Sequence, residues 1–212
     1  MATRIDGLVN PATTAVLTFE TQRGIVGDLA QLPALAEAAR KTFPAVRTLL
    51  EVARSVGVPV VHCQVLAAPV PAAPPNYPLA DAMAKQVGST PIDPAFYEVA
   101  LEIGPQPTDF YETRNHGVTG FTGTGLAATL NRLGVRTIVA TGASLNLGII
   151  GLAIEAVGNG FRVVVPTDCV AGVPEEYAAD VIKYSLGLVA KRCLSVDIIE
   201  AWSAAARSQR NV

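Results

Sequence analysis

Residues with chemistry to offer fall at three places along the chain. Glu20 ends an apolar run, Thr13 to Phe19, in the order Phe-Glu-Thr-Gln. A carboxylate at the carboxyl end of a buried strand faces the crevice above a sheet rather than the core, and low-dielectric walls make such a carboxylate a better general base. The bland alternative is an exposed loop glutamate or a helix cap. Arg114, Asn115 and His116 follow a short strand near Asp109 to Thr113 and precede a glycine-rich run, so one of them could orient or polarise a substrate. The third place is Arg136 to Gly151, RTIVATGASLNLGIIG, where a strand turns through small residues into a helix. The first backbone N–H groups of such a helix attract anions and developing oxyanions, although most turns of this kind are only structural.

Other arrangements fail on inventory. A serine nucleophile at Ser144 lacks a partner, because the histidines, His62 and His116, both lie upstream. Ser144 reads instead as a turn residue or a helix N-cap. Gly123-Thr124-Gly125 with Ala128 formally matches a dinucleotide fingerprint, but no good strand feeds it and no acidic residue ends the next strand. No GK[ST] follows a glycine-rich loop, which removes a phosphate-binding loop. His62, inside VVHCQ, reads as a satisfied buried histidine, and no cluster of ligands for a metal is visible.

The elements that must position these groups alternate between strand and helix. After an irregular arm over 1–12, a strand is expected at Thr13 to Phe19 and a helix at Leu32 to Val56, broken or kinked at Pro44. A strand at Val58 to Gln64 leads into residues 65–108, a long proline-rich stretch expected to form a lid or binding loop. Helix Gly123 to Leu133, strand Thr137 to Ala140, helix Leu147 to Val157 and strand Phe161 to Val165 follow. Pro174 opens a further helix, and the chain closes with a short strand near Cys193 and a helix from Ser195 to about Arg207. This order predicts a parallel sheet with right-handed crossovers.

Composition bounds the function. The 212 residues are 50% hydrophobic and 16% charged, with a net charge of −2, and fit a single domain over 1–212. Near-neutral charge without a basic run argues against nucleic acid. Mean hydropathy is high at +0.37, yet Glu155 and Arg162 break the best candidate for a membrane span. The N-terminus lacks the apolar core of a signal peptide. The excess apolar surface therefore points to a homo-oligomer, dimer or larger, with surfaces after Gly148 and near the C-terminal helix contributing. Cys63, Cys169 and Cys193 are isolated and odd in number, which suggests a reducing cytoplasm.

Several ordered stretches carry a resemblance. They are the triplet Glu20-Thr21-Gln22, ARSVGVPVVH, TGFTGTGLAATLNRLGVRTIVATGAS with Phe121, Thr124 and Leu126, and NGFRVVVPTDCVAG with Asp168. Over roughly Thr13 to Trp202 the sequence resembles the isochorismatase-like cysteine hydrolases, which include nicotinamidases, isochorismatases and carbamoylases. The resemblance implies a doubly wound, Rossmann-like α/β sandwich of three layers, with a parallel six-stranded sheet in the order 3-2-1-4-5-6. It also implies a catalytic aspartate, lysine and cysteine. Those positions fall on Glu20, on Asn115 with Arg114 one residue away, and on Gly148, so the nucleophile is absent. The family's backbone oxyanion hole falls on Ser144 and Gly148, and its cis peptide on Ala143–Ser144. Gln22 and Phe121 fall in the family's site motifs, and Tyr77, Met83, Phe96 and Tyr97 are offered as apolar walls.

Two readings follow, with no cofactor in either. One is a hydrolase-like enzyme acting on a small, partly apolar metabolite through Glu20, with Arg114, Asn115 or His116 assisting, and no thiol chemistry. The other is a catalytically inactive relative that binds a small molecule or serves a structural role. A dinucleotide oxidoreductase is disfavoured by its incomplete fingerprint.

Overall fold

The computed structural model describes residues 5–66, 77–87 and 92–210. Its centre is built from two strands buried along their whole length, β1 (Thr14–Phe19) and β4 (Thr137–Ala143). Their near-continuous apolar runs are what a parallel sheet covered on both faces requires. Around them lie β2 (Val60–Val65), β3 (Phe110–Arg114), β5 (Arg162–Pro166), the two-residue β6 (Val170–Ala171) and β7 (Lys191–Cys193). Every pairing is parallel, in the order β3-β2-β1-β4-β5-β7, with β6 added to β4. The strand expected near Cys193 is thus the sixth along the path, and the expected order holds. The sheet reverses its winding between β1 and β4, so their carboxyl ends flank the switch-point crevice.

Helices cover both faces. On one side α1 (Pro33–Arg40), α2 (Phe43–Ser55) and the C-terminal α8 (Ser195–Arg210) pack over Val16, Val60 and Val139. On the other side α4 (Leu126–Arg132), α5 (Ile150–Gly158) and α6 (Glu175–Asp180) pack over Ala15, Leu17, Phe19 and Ile138. The period-two alternation of β1 sends Phe19 to the α4–α5 side. Trp202 of α8 is fully buried, and its indole N–H donates to the Val9 carbonyl at 2.7 Å, tying the N-terminal arm to the core. Among the described residues no helix is long and apolar enough to cross a membrane.

The structure revises some boundaries. The helix expected over Leu32 to Val56 is two, separated at Lys41 and Thr42. Pro44 sits in the first turn of α2, where its missing N–H breaks no helical bond. β4 runs on to Ala143 instead of ending at Ala140. Gly142 makes this extension feasible. A Cβ there would lie 2.2 Å from the Phe19 carbonyl oxygen, so only glycine lets the two backbones stay paired, at φ 109°. The helix after it opens with a π-helical turn, Leu145–Ile149, before α5.

The stretch 65–108 is not simply a lid. Its PVPAAPP run lies outside the described residues, α3 (Pro78–Val87) follows, and Phe96, Val99, Ala100 and Ile103 are buried. Val99 forms an antiparallel bridge with Gln22. Phe96 packs on Gly24, where a Cβ would fall 2.0 Å from the ring. Apolar burial makes the second half of this stretch part of the core.

Candidate functional site

Glu20 leaves β1 in the left-handed region, with φ 50°, and its backbone N–H donates to the Cys63 carbonyl at 3.0 Å. This bend carries the side chain across the end of β2 toward β3, where it forms an ion pair with Arg114. Arg114 is the last residue of β3, in register with Val65. The Glu20 side chain is 19% exposed and that of Arg114 only 3%. Burial pulls the Arg114 guanidinium down to about 10, with Glu155 opposing the shift, so the group stays charged at neutral pH. Its Nε donates to the Gly117 carbonyl at 3.3 Å, and its plane lies 4.9 Å from the Phe19 ring centre. The Tyr77 hydroxyl donates to the same Gly117 carbonyl at 3.4 Å. Glu20, Arg114, Tyr77 and Phe19 therefore meet at one place.

The turn after β4 supplies the other wall. The Ala143–Ser144 peptide is cis, as the family resemblance implies. Ser144 stands at the N-cap of the π-helical turn with extended dihedrals and no side-chain capping bond, and its carbonyl accepts from Ile149 N–H at 2.9 Å. Gly148 packs directly on Phe19. A Cβ at 148 would lie 2.6 Å from Cε1 and 2.9 Å from Cδ1 of that ring. Phe19 thus fills the space beside Gly148, and Glu20 turns to Arg114. The reason is strand alternation: Phe19 faces α5, and Glu20, one residue later and bent at positive φ, does not.

The remaining candidates separate from this group. Asn115 and His116 are exposed and bond to each other, Oδ1 to Nδ1 at 3.0 Å, with the His116 ring lying over Gly123. The alternation along β3 buries Arg114 and turns Asn115 outward, so period-two reading of Phe110-Tyr-Glu-Thr-Arg-Asn is the sequence signal that distinguishes them. Gln22 is fully buried. Its Nε2 donates to the carbonyls of Val65 at 2.8 Å and Tyr97 at 3.1 Å, and its Oε1 accepts from Val65 N–H at 2.8 Å. It acts as a clasp between strand end and loop. Phe121 lies in the core against Phe161, with ring centres 5.8 Å apart, and its N–H donates to Glu155 at 2.8 Å. Glu155 also accepts from the Thr122 hydroxyl and fixes this loop. Asp168 binds the N–H and hydroxyl of Ser195 at 2.8 and 2.6 Å and so secures the start of α8.

Of the cysteines, Cys63 stands beside the site, paired with Phe19 across β1 and β2. Cys63 and Cys169 are buried, and burial pushes both thiols far up, reinforced by Glu112 and Asp168 respectively. Cys193 is pushed up to about 12 by burial and by Asp197. Among the described residues no group of His, Cys, Asp and Glu side chains is arranged to hold a metal.

His62 is a satisfied buried histidine, as expected. Nδ1 meets the Thr18 hydroxyl at 2.6 Å and Nε2 meets Asp109 at 3.0 Å, while Arg54 grips Asp109 with two bonds of 2.9 and 2.6 Å. Burial alone would raise the Asp109 carboxyl. The bonds from His62, Arg54 and Gln106 N–H outweigh it and bring the group down to about 2. A depressed carboxylate contributes stability that is present above its ordinary pKa of ~3.9 and is lost as pH falls toward 2, here roughly 2 kcal/mol. Urea denaturation should therefore show wild type losing about that much between pH ~4 and ~2. Asp109→Asn should be less stable at neutral pH and flatter over that window. Equal acid slopes for the two proteins would remove Asp109 from the acid response.

The Isochorismatase domain profile matches residues 14–191 of this chain. No curated protein matches the chain in sequence. Among solved structures, an isochorismatase family protein from Burkholderia thailandensis is 26% identical with a TM-score of 0.71, over 92% of this chain and 97% of that one. N-carbamoylsarcosine amidase from Thermoplasma acidophilum is 25% identical with a TM-score of 0.67, over 86% of this chain and 96% of that one. Pyrazinamidase of Pyrococcus horikoshii, solved with zinc, shares the fold at 18% identity and a TM-score of 0.66, over 85% of this chain and 98% of that one. With its sheet order, its cis turn after β4 and the domain match running from β1 to the start of β7, the chain belongs to the isochorismatase family.

Proposed function

We propose that this chain is a divergent member of the family without a nucleophilic thiol, and that its altered set, Glu20, Arg114 and Gly148, binds a small, partly apolar metabolite without forming a thioester. The observation that carries this reading is the Phe19 ring lying against Gly148, where the nucleophile's side chain would have to stand. Acyl transfer through sulfur needs a thiolate within reach of a carbonyl. Here the matching position has no side chain, and burial holds Cys63 and Cys169 as thiols. What the site offers is a buried guanidinium, a tyrosine hydroxyl and an aromatic ring, a set suited to a planar amide or carboxylate with an apolar body. The relative that hydrolyses N-carbamoylsarcosine points to small amides as the ligand class. The isolated thiols fit a cytoplasmic setting.

A second reading gives Glu20 acid/base work on such a ligand. Its support is the partial exposure of the Glu20 side chain at the carboxyl edge of the sheet. Taking up a proton would cost the ion pair with Arg114, so binding without turnover is the better-supported function.

The test is a panel of small amides and carboxylates, with binding read by ligand-observed NMR and covalent chemistry by intact mass. Protein alkylated with iodoacetamide should bind as the untreated protein does, and any turnover should survive. A stoichiometric acyl adduct on a cysteine during turnover would overturn the proposal.

A further inference from the structure

Across the sheet from the ion pair runs a line of buried polar groups. The register sets Thr18 of β1 beside His62 of β2, and His62 beside Tyr111 of β3. Thr18 and His62 each stand two residues after a valine of the α2-side core, Val16 and Val60, so strand alternation turns both toward α2. Both are fully buried, and the Tyr111 ring lies against the imidazole with ring centres 5.1 Å apart. Arg54 reaches from α2 to Asp109, just ahead of β3. The Asp109 carboxylate, already holding Arg54 and the Gln106 N–H, only accepts, and on this ground the imidazole proton is assigned to Nε2. Nδ1 then accepts the single hydroxyl proton of Thr18 at 2.6 Å, and Thr18 Oγ1 accepts from the Thr21 hydroxyl at 3.1 Å. Each donor is committed, and the bonds run from Thr21 to Thr18 to His62 to Asp109.

We infer that Thr18, Thr21 and His62 are positioning residues for the Glu20–Arg114 pair. Thr18 and Thr21 bracket the bend that ends β1. Between them Phe19 enters the core on the other face, and Glu20 takes φ 50°, a conformation uncommon outside glycine. The Thr21–Thr18 bond closes this bend through side chains, and His62 fixes the direction in which the Thr18 oxygen can receive it. The Thr21 backbone is held too, its carbonyl accepting from Ala100 N–H at 2.9 Å. Apolar side chains would fill the same volume, but their contacts are not directional, whereas a hydrogen bond weakens steeply off its axis. Burying the Asp109 carboxylate, 2% exposed, is costly unless its bonds are all made, so the line is fixed as a unit. The line acts on Glu20 through the backbone of its neighbours. If the bend relaxes to negative φ, the carboxylate swings away from Arg114. The inference rests on the reading that this pair is the ligand site, but the pair itself can be observed without a ligand.

The experiment is NMR on the full chain, following hydrogen exchange at the Arg114 Nε–H, a signal identified by its absence from Arg114→Met. Thr21→Val removes one hydroxyl and leaves His62 satisfied. It should speed exchange at Arg114 by about five- to tenfold, the effect of one lost hydrogen bond, while the backbone amides of β4 and β5 exchange as in wild type. Affinity for benzoate, a planar carboxylate with an apolar body, should fall by a similar factor. Thr21→Ser keeps the hydroxyl and should restore the wild-type rate. Thr21→Ala loses the same bond without adding a methyl group beside Thr18, and should behave as Thr21→Val does. Thr18→Val also orphans His62 Nδ1 and should give a larger effect at Arg114. An unchanged Arg114 signal in folded Thr21→Val or Thr21→Ala would overturn the inference. So would an acceleration shared equally by β4 and β5, which marks a loss of overall stability and no special hold on the pair. Wild type that binds neither benzoate nor small amides would count against the ligand site alone, because the Arg114 signal is read without ligand.

Discussion

Gly148→Cys is expected to destabilise the protein by about 1–3 kcal/mol and to confer no amidase activity. The new Cβ would sit 2.6 Å from Phe19 Cε1, and the ring has nowhere to go. Phe19 is fully buried in a socket with glycine on two sides. Gly148 lies against Cε1, and a Cβ at Gly120 would come within 3.3 Å of Cε2. Arg114 covers the ring from a third direction. The basic residue at Asn115 that the family pattern calls for would face solvent. Restoring thiol chemistry therefore requires more than Glu20→Asp, Gly148→Cys and Asn115→Lys together, because Phe19 must also shrink. Phe19→Ala should cost less in the Gly148→Cys protein than in wild type, a coupling of the sign expected for side chains competing for one volume. Urea midpoints of the two single variants and the double variant, with hydrolysis assays on small amides, provide the check. A Gly148→Cys protein as stable as wild type and robustly active would show that the ring is not the obstacle.

The fold was legible because its signals are local. Continuous apolar runs at Thr13 to Phe19 and Thr137 to Ala140, helices between strands, and a helix break near Pro44 each follow from properties of a few neighbouring residues. The site was legible only in part. Glu20 at a strand end and the turn at Ser144 could be marked from position alone, whereas their partners depend on which face each strand presents. Arg114 and Asn115 differ by one residue, and alternation along β3 places them on opposite faces. Gln22 reads as a site residue from its motif, but its amide is spent on the Val65 and Tyr97 backbone, a contact created by a long excursion of the chain. The pairing of Phe19 with Gly148 is tertiary. Nothing near either residue in sequence announces that a glycine at one is needed by a ring at the other.

Removing the carboxylate at position 20 should be the costliest polar change in the molecule. Arg114 is 3% exposed in its side chain, and in Glu20→Ala its charge would remain buried with its ion-pair partner gone and only the longer-range attraction of Glu155 opposing burial. Breaking a buried pair from one side costs about 3–5 kcal/mol, and the 19% exposure of the Glu20 side chain, which lets water approach, sets the expectation near the lower end. The backbone separates the contributions further. Residue 20 sits at φ 50°, a region that alanine resists and glycine enters freely, so Glu20→Gly should be less damaging than Glu20→Ala although both lose the ion pair. Glu20→Gln keeps an oxygen acceptor for the guanidinium and should be the mildest of the three. Arg114→Met should cost less than Glu20→Ala, because the orphaned carboxylate can turn to solvent and a buried guanidinium cannot. The loss in each variant should change little with salt, since ions screen buried pairs poorly. The same variants separate binding from acid/base work. If Glu20 moves a proton, Glu20→Gln lowers turnover by about two to four decades while the fold survives. If the pair only binds, Glu20→Gln shifts ligand affinity and leaves no rate to lose. Urea denaturation at low and high salt, followed by amide turnover and ligand titration on the folded variants, decides both questions. Equal stability of Glu20→Ala and wild type would mean that the Glu20–Arg114 pair does not hold this edge of the sheet together.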